Sequence, residues 1–374
     1  MISFSLDDKF NRIFIIYAFF TIGTLFFTSL FELYFSTLGL SISQIILSSI
    51  GIYLSPILLL PLLSKVGTRK SIFIGFVVYG IAAAVLFAVH SQASPFLTRA
   101  IIGLTIVFFW IPFNTKYYEF SRSNSAFLGS LYYSLSPILG LVFPALSGII
   151  ATGYGYMSVF GISALFFAIS SIIAYKLGED KTYKYDLWKS IESIKGLRTL
   201  FFIEGFGINS IVPVTLSSMI LLYFKQPAEF GGVLSGATLF SIIASLITAK
   251  YSDKSGERRL FIIGSSLGFL LSAIFTVIAK DAVSFFIGFS LIGFFRGILM
   301  PLPLALSVDI SKNLPQTIIA RELFLNLGRV ALVILGYFVI IYFDIRALLL
   351  IQTIVAAFYI PVFEMKKKAI LKTS

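Results

Sequence analysis

The sequence has no cysteine and a single histidine, and only 12% of its 374 residues are charged. Without cysteine there is no disulfide, no thiolate nucleophile and no thiol redox chemistry. One histidine, His90, cannot assemble a metal site. It closes an apolar run beside a short loop and reads as an interfacial residue. The phosphate-cradling pattern Gly-x-x-x-x-Gly-Lys-Ser/Thr does not occur, so the chain does not hydrolyse ATP by itself. No cluster of histidines or aspartates converges near an interface. The expectation is a protein that is not an enzyme and needs no cofactor and no metal.

The scarcity of charge is matched by an excess of apolar residues. Soluble domains are roughly 45–50% apolar and about 25% charged. Here 58% of residues are hydrophobic and the mean hydropathy is +0.97. That much apolar surface needs lipid as its solvent, and membrane lipids are the first expected partner. A membrane span takes roughly 20 apolar residues. Runs of that kind, bounded by charges or turn residues, cover 11–35, 44–63, 71–90, 95–114, 126–150, 157–175, 199–224, 231–249, 260–279, 282–306, 318–342 and 347–363. The fold expected is therefore all-α and integral to a membrane, with twelve transmembrane helices. Asp7, Asp8, Lys9 and Arg12 precede the first run, which is longer than a signal core and has no small-residue cleavage pattern behind it. It reads as a retained span.

The net charge of +12 is distributed unevenly. With the N-terminus placed in the cytoplasm, 22 of the lysines and arginines fall in cytoplasmic segments, and only Lys225, Lys280 and Arg346 fall on the other side. Arg99, Arg296, Arg321 and Arg329 lie in spans or at their rims. Such asymmetry is the positive-inside pattern. It also tests the count, because one missed or invented helix would invert every later loop. An even number of spans follows, with both termini cytoplasmic and the chain in the cell membrane. The basic excess serves topology, and nucleic acid is not an expected partner.

The longest connection, Lys176 to Arg198, splits the chain into residues 1–176, a cytoplasmic linker 177–197, and residues 198–374. Within the linker Leu187, Trp188, Ile191 and Ile194 share one helical face between Lys and Glu. This reads as an amphipathic helix on the cytoplasmic membrane surface, and a packed linker helix is a compatible reading. The halves echo each other. Ser64-Lys65-Val66-Gly67-Thr68-Arg69-Lys70 follows the second run and Asp253-Lys254-Ser255-Gly256-Glu257-Arg258-Arg259 follows the eighth. Both are tight basic turns around a glycine.

These turns resemble the loop signature of the major facilitator superfamily, Gly-x-x-x-Asp-Arg-x-Gly-Arg-Arg. The second copy keeps Asp253, Gly256, Arg258 and Arg259; the first keeps Gly67, Arg69 and Lys70, with Ser64 in place of the aspartate. Leu38-Gly39-Leu40-Ser41 with Gln44 is similar to the family's link between its first two helices, and Phe96-Leu97-Thr98-Arg99 with Gly103 to its helix 4 motif. Gly140, Pro144 and Gly148 resemble its glycine- and proline-rich helix 5, with Phe143 and Ser147 where glycines are expected. The resemblance implies two pseudo-symmetric six-helix bundles around a central cavity, rocking to expose it to each side in turn. It also implies a latch from Asp253 to the opposite bundle near the start of helix 5.

An ionisable residue inside a membrane is costly, at roughly 2.5–3.5 kcal/mol or more, so each one calls for a partner or a task. Glu32 and Arg99 lie at similar depth in spans that the family fold makes neighbours, and they are expected to pair. The pair is either a structural or gating contact or part of substrate or proton coupling. Arg296, Glu204, Asn209, Asn326 and Arg329 are the other candidates for substrate or coupling. Arg321 and Glu322 sit at the apparent rim of the eleventh run, where ion pairing or capping accounts for them. Gly205, Gly207 and Pro213 weaken the seventh run, either to free backbone for a ligand or to let helices pack closely. Deep arginines outnumber deep glutamates, which favours an anionic group on a small-molecule substrate. The function expected is a monomeric secondary active transporter working by alternating access. Its coupling ion is expected to be a proton, because Glu32 and Glu204 are the deep carboxylates. The alternative is a non-transporting membrane sensor or the permease subunit of a larger complex.

Overall fold

The computed structural model describes residues 8–121, 125–255, 258–299, 311, 313–362 and 365. Nearly all of them are helical. The long helices are α1 (Asp8–Thr37), α2 (Ile42–Leu62), α3 (Arg69–Ala88), α4 (Ser94–Glu119), α5 (Ser125–Gly140 continued by Phe143–Tyr154), α6 (Tyr156–Leu177), α7 (Arg198–Ile220), α8 (Pro227–Ser255), α9 (Arg258–Val277), α10 (Ala282–Leu299), α11 (Leu314–Tyr342) and α12 (Ile345–Val362). Among the described residues, 11 of these are long and apolar enough to cross a membrane, and in α9 the apolar stretch Ile263–Val277 is shorter. The chain is a multi-pass membrane protein. Among the described residues, each expected apolar run overlaps one of these helices.

Local chemistry sets the breaks. Between α1 and α2, Gly39 takes φ +86°, which a side chain would strain. Ser41 then closes a capping box with Gln44: the Gln44 amide donates to Ser41 Oγ at 3.3 Å and the Ser41 amide to Gln44 Oε1 at 2.9 Å. Asn313 caps α11 and Pro315 fills its first turn, so this helix begins earlier than its hydropathy suggests.

Contacts between loops define two faces. Lys9 and Lys116 both reach Glu179, at 3.7 and 2.5 Å. Lys181 and Tyr183 both reach Glu119, at 2.7 and 2.9 Å. The start of α1, the end of α4 and the segment after α6 therefore share one face, here called the linker face. On the opposite face Tyr34 Oη lies 3.3 Å from His90 Nδ1, the Ala228 amide donates to Thr152 Oγ1 at 3.1 Å, and Arg346 donates to Tyr223 Oη at 3.0 Å.

The one sheet among the described residues lies on the linker face. Strand β1 (Lys65–Gly67) pairs antiparallel with β2 (Thr182–Lys184), placing Val66 opposite Tyr183. Tyr185 extends the join, its amide donating to Ser64 O at 3.0 Å and its hydroxyl to Leu60 O at 2.8 Å. The rest of the linker turns to the other half. A short helix, Leu187–Ser193, capped by Asp186, packs on α11. Arg198 binds its last turn by donating to Ile191 O at 2.8 Å. Of the four residues read as one stripe, Leu187, Ile191 and Ile194 pack inward, while Trp188 is 79% exposed. The packed-linker reading describes three of them, and only Trp188 is left to meet the surroundings.

The Lys116 ammonium holds the Glu179 carboxyl below the usual carboxylate range. A depressed carboxyl contributes stability that is present above its unfolded value and is lost as pH falls through its folded value. Glu179→Gln is expected to cost about 1 kcal/mol near neutral pH. Thermal unfolding of the two proteins in detergent should converge as the solution is acidified, whereas a gap that persists below the carboxyl range would refute the assignment.

Candidate functional site

Close helix crossings position the site. Gly51 and Gly103 let α2 and α4 meet backbone to backbone: a Cβ on Gly51 would lie 2.7 Å from the Ala100 amide nitrogen. This crossing aims Arg99 across at α1, just past the turn at Ser29 and Leu30 that interrupts that helix. Arg99 Nη2 donates to Glu32 Oε1 at 2.9 Å, and Nη1 donates to Ser48 Oγ at 2.6 Å and to the Ile45 carbonyl. Both side chains are almost wholly buried. The structure brings this pair together as its depth suggested.

A second buried pair lies across α7 and α11. Gly205 and Gly328 bring these helices into backbone contact; a Cβ on either would collide with the Leu325 or the Phe202 carbonyl oxygen. Gly205 thus serves packing. Helix α7 is wound as a π-helix over Glu204–Asn209 and again over Ile211–Leu216, and wider turns of this kind mark functional segments. The winding puts Asn209 over Glu204, five residues before it, and Asn209 Nδ2 donates to Glu204 Oε1 at 2.8 Å. Arg321 Nη2 donates to the same oxygen at 2.5 Å. Arg321 and Glu322 carry the ion pairing expected of them, Arg321 with Glu204 and with Glu322, and both are buried, at 5% and 7% exposed. Helix α11 starts at Leu314, which puts Arg321 two turns inside.

Between the halves lies a cavity of two lobes, about 450 and 490 Å³, that share Tyr53, Tyr79, Pro213 and Arg296 on their walls. Cavities of roughly 300–1,000 Å³ accept small molecules. The first lobe is lined by Glu32, Arg99 and Ser217. The second is lined by Asn209, Arg321, Glu322 and Arg329. Arg296 Nε donates to the Ile208 carbonyl at 3.3 Å, inside the π-helical stretch. Arg329 Nη1 donates to Asn326 Oδ1 at 3.2 Å, and its guanidinium stands 5.4 Å from the centre of the Tyr53 ring. Asn326 is fully buried, and its amide donates to Glu322 O at 2.7 Å, which turns its oxygen toward Arg329. Glu204 is buried behind Arg321 and does not line the cavity.

The family model for the Major Facilitator Superfamily matches residues 197–369. The matched segment is the second half of the chain, from the end of the linker through α12. The helix arrangement agrees over nearly the whole length. The crystal structure of the human organic anion transporter MFSD10 (TETRAN) superposes with a TM-score of 0.64, covering 94% of this chain and 99% of that one at 11% sequence identity. At that identity the likeness is one of fold. No curated protein matches by sequence.

The superfamily's loop residues can now be placed. Gly67 ends β1, pairing with Thr182. Arg69 Nε donates to Gly178 O at 2.7 Å, and Arg69 Nη1 lies 3.4 Å from Asp180. Lys70 is exposed beside it. The first loop is thus fastened to the end of α6 and the start of the linker. Gly256, and the side chains of Asp253, Arg258 and Arg259 with those at the start of α5, lie outside the described residues. Sequence reasoning left Arg321 out of the substrate candidates and missed the aromatic residues Tyr17, Tyr53, Trp110 and Tyr132; all of them line the second lobe. A signal for Arg321 was present: it follows the start of α11 at nearly the same distance as Glu204 follows the start of α7.

Proposed function

We propose that this chain is a secondary active transporter that moves a small solute bearing an anionic group by alternating access. Two six-helix bundles, twelve spans in all, would rock around the shared cavity, with the linker face and both termini in the cytoplasm of a cell-membrane monomer. The observation that carries the reading is the charge of the cavity. Among the described residues, Arg99, Arg296, Arg321 and Arg329 line it against Glu32 and Glu322, with Glu204 buried behind Arg321, an excess of one cation. In a low-dielectric site that excess favours an anion. The match of the second half to a family of transporters supports movement of the solute rather than its chemical conversion. The organic anion transporter with a similar fold is consistent with the charge argument.

Proton coupling fits the carboxylates. Glu32 lines the cavity beside Arg99, so a proton taken up there alters the charge the substrate meets. The test is uptake into liposomes carrying the purified protein, with small organic anions and neutral analogues compared. Wild type is expected to favour the anions. Arg296→Gln should lower anion uptake by about tenfold or more, because truncating a charge that meets an opposite charge typically costs 2–5 kcal/mol. Normal anion uptake by the variant would refute the role given to Arg296.

A further inference from the structure

The cavity has two chemically different walls. On the first-half side of the second lobe the lining is aromatic, through Tyr17, Tyr53, Trp110 and Tyr132. Tyr17 and Tyr132 stack with centroids 5.0 Å apart and planes 7° from parallel. Their hydroxyls are tied back into the protein, Tyr17 donating to Tyr132 O at 3.2 Å and Tyr132 to Asn114 Oδ1 at 3.0 Å. What this wall offers is ring surface. The wall from the second half carries arginines. The two walls touch where Arg329 lies over the face of Tyr53.

That contact differs from the other guanidinium contacts of the site. Arg99 and Arg321 each hold a carboxylate. Arg329 rests on a ring and on the amide oxygen of Asn326, both neutral. A cation on an aromatic face is held more weakly than one hydrogen-bonded to an anion. An anionic group entering the lobe therefore draws Arg329 toward itself and uncovers the face of Tyr53. A flat ring joined to that anion can then occupy the face the guanidinium has left. A neutral ring gives Arg329 no reason to move, and a saturated acid cannot stack.

The geometry points to a bipartite site for planar aromatic monoanions, in which Arg329 binds the anionic group and Tyr53 stacks the ring. This assignment rests on the proposal that the cavity takes an anionic solute, and it narrows that proposal to one class.

The two tryptophans supply the assay. Trp110 lines the lobe and Trp188 is exposed on the linker helix. In W188F protein the emission of Trp110 alone reports the cavity. Titrations use benzoate, cyclohexanecarboxylate (of the same charge and similar size, but not flat) and benzyl alcohol (flat but neutral). Benzoate is expected to bind about fivefold tighter than cyclohexanecarboxylate, the ratio that corresponds to one aromatic contact, and both acids tighter than benzyl alcohol. Y53L should bring the two acids together by weakening benzoate alone, while Y53F, which keeps the ring, should retain the preference. R329Q should weaken both acids by about tenfold or more and, by uncovering the Tyr53 face, should not weaken benzyl alcohol. Equal binding of the two acids by the wild-type cavity, or a preference that survives Y53L, overturns the aromatic assignment and leaves the anion reading intact. Acids that bind no tighter than the alcohol overturn both.

Discussion

Arg321→Leu is expected to remove about 3–5 kcal/mol of stability, the usual cost of stripping one partner from a buried ion pair. Glu204 shows no exposed surface, and its Oε1 accepts from both Arg321 and Asn209. Its Oε2 has no hydrogen-bond partner among the described residues. With Arg321 gone, only the Asn209 amide would still serve a carboxylate held inside the protein. The double variant Glu204→Leu/Arg321→Leu should regain most of the loss, because a buried pair replaced by apolar side chains of similar volume is often neutral or stabilising. Denaturation of the purified proteins in detergent measures the cycle. A single variant within about 1 kcal/mol of wild type would sink the assignment.

The second large effect concerns energy coupling. A proton moving down one pH unit releases about 1.4 kcal/mol, a tenfold accumulation of whatever moves with it. Across about two units a proton-coupled carrier can accumulate solute about a hundredfold. Glu32→Gln is expected to collapse that ratio to near unity while exchange of labelled for unlabelled solute continues. The amide oxygen of glutamine can still accept from Arg99, and Arg99 keeps Ser48 Oγ and the Ile45 carbonyl. The cavity should therefore stay formed when the titrating group is removed. If accumulation and exchange fall together, the pair is structural; if neither falls, Glu32 takes no part in coupling.

Hydropathy made the long helices legible, because a span must be apolar for the length of a bilayer whatever it packs against. The pairing of Glu32 with Arg99 was legible for a related reason. Two opposite charges at one depth in neighbouring helices have few other ways to be tolerated. The partner of Arg321 was not legible because apolarity does not report where a helix begins. Asn313 and Pro315 start α11 before its apolar run does, and that start carries Arg321 inward. The π-helical winding of α7 left no trace in composition, so Asn209 was a candidate with no known partner. Arg329 and Tyr53 are distant in the sequence and on different halves. Only the packing of α2 against α11 brings them together.

The join of β1 to β2 bears on how the protein is made. Residues 65–67 emerge early, yet the strand they pair with is not synthesised until residue 184. The backbone groups of β1 must wait for it through the insertion of α3, α4, α5 and α6. Glu119 waits as well, for Lys181 and Tyr183. The first half is therefore complete as a structural unit only once the chain has passed Tyr185, several residues beyond the last apolar run of that half. A fragment cut at Lys176 would expose an open strand edge, and one carried through Asp186 would close it. The linker is in this sense the last part of the first half to be built.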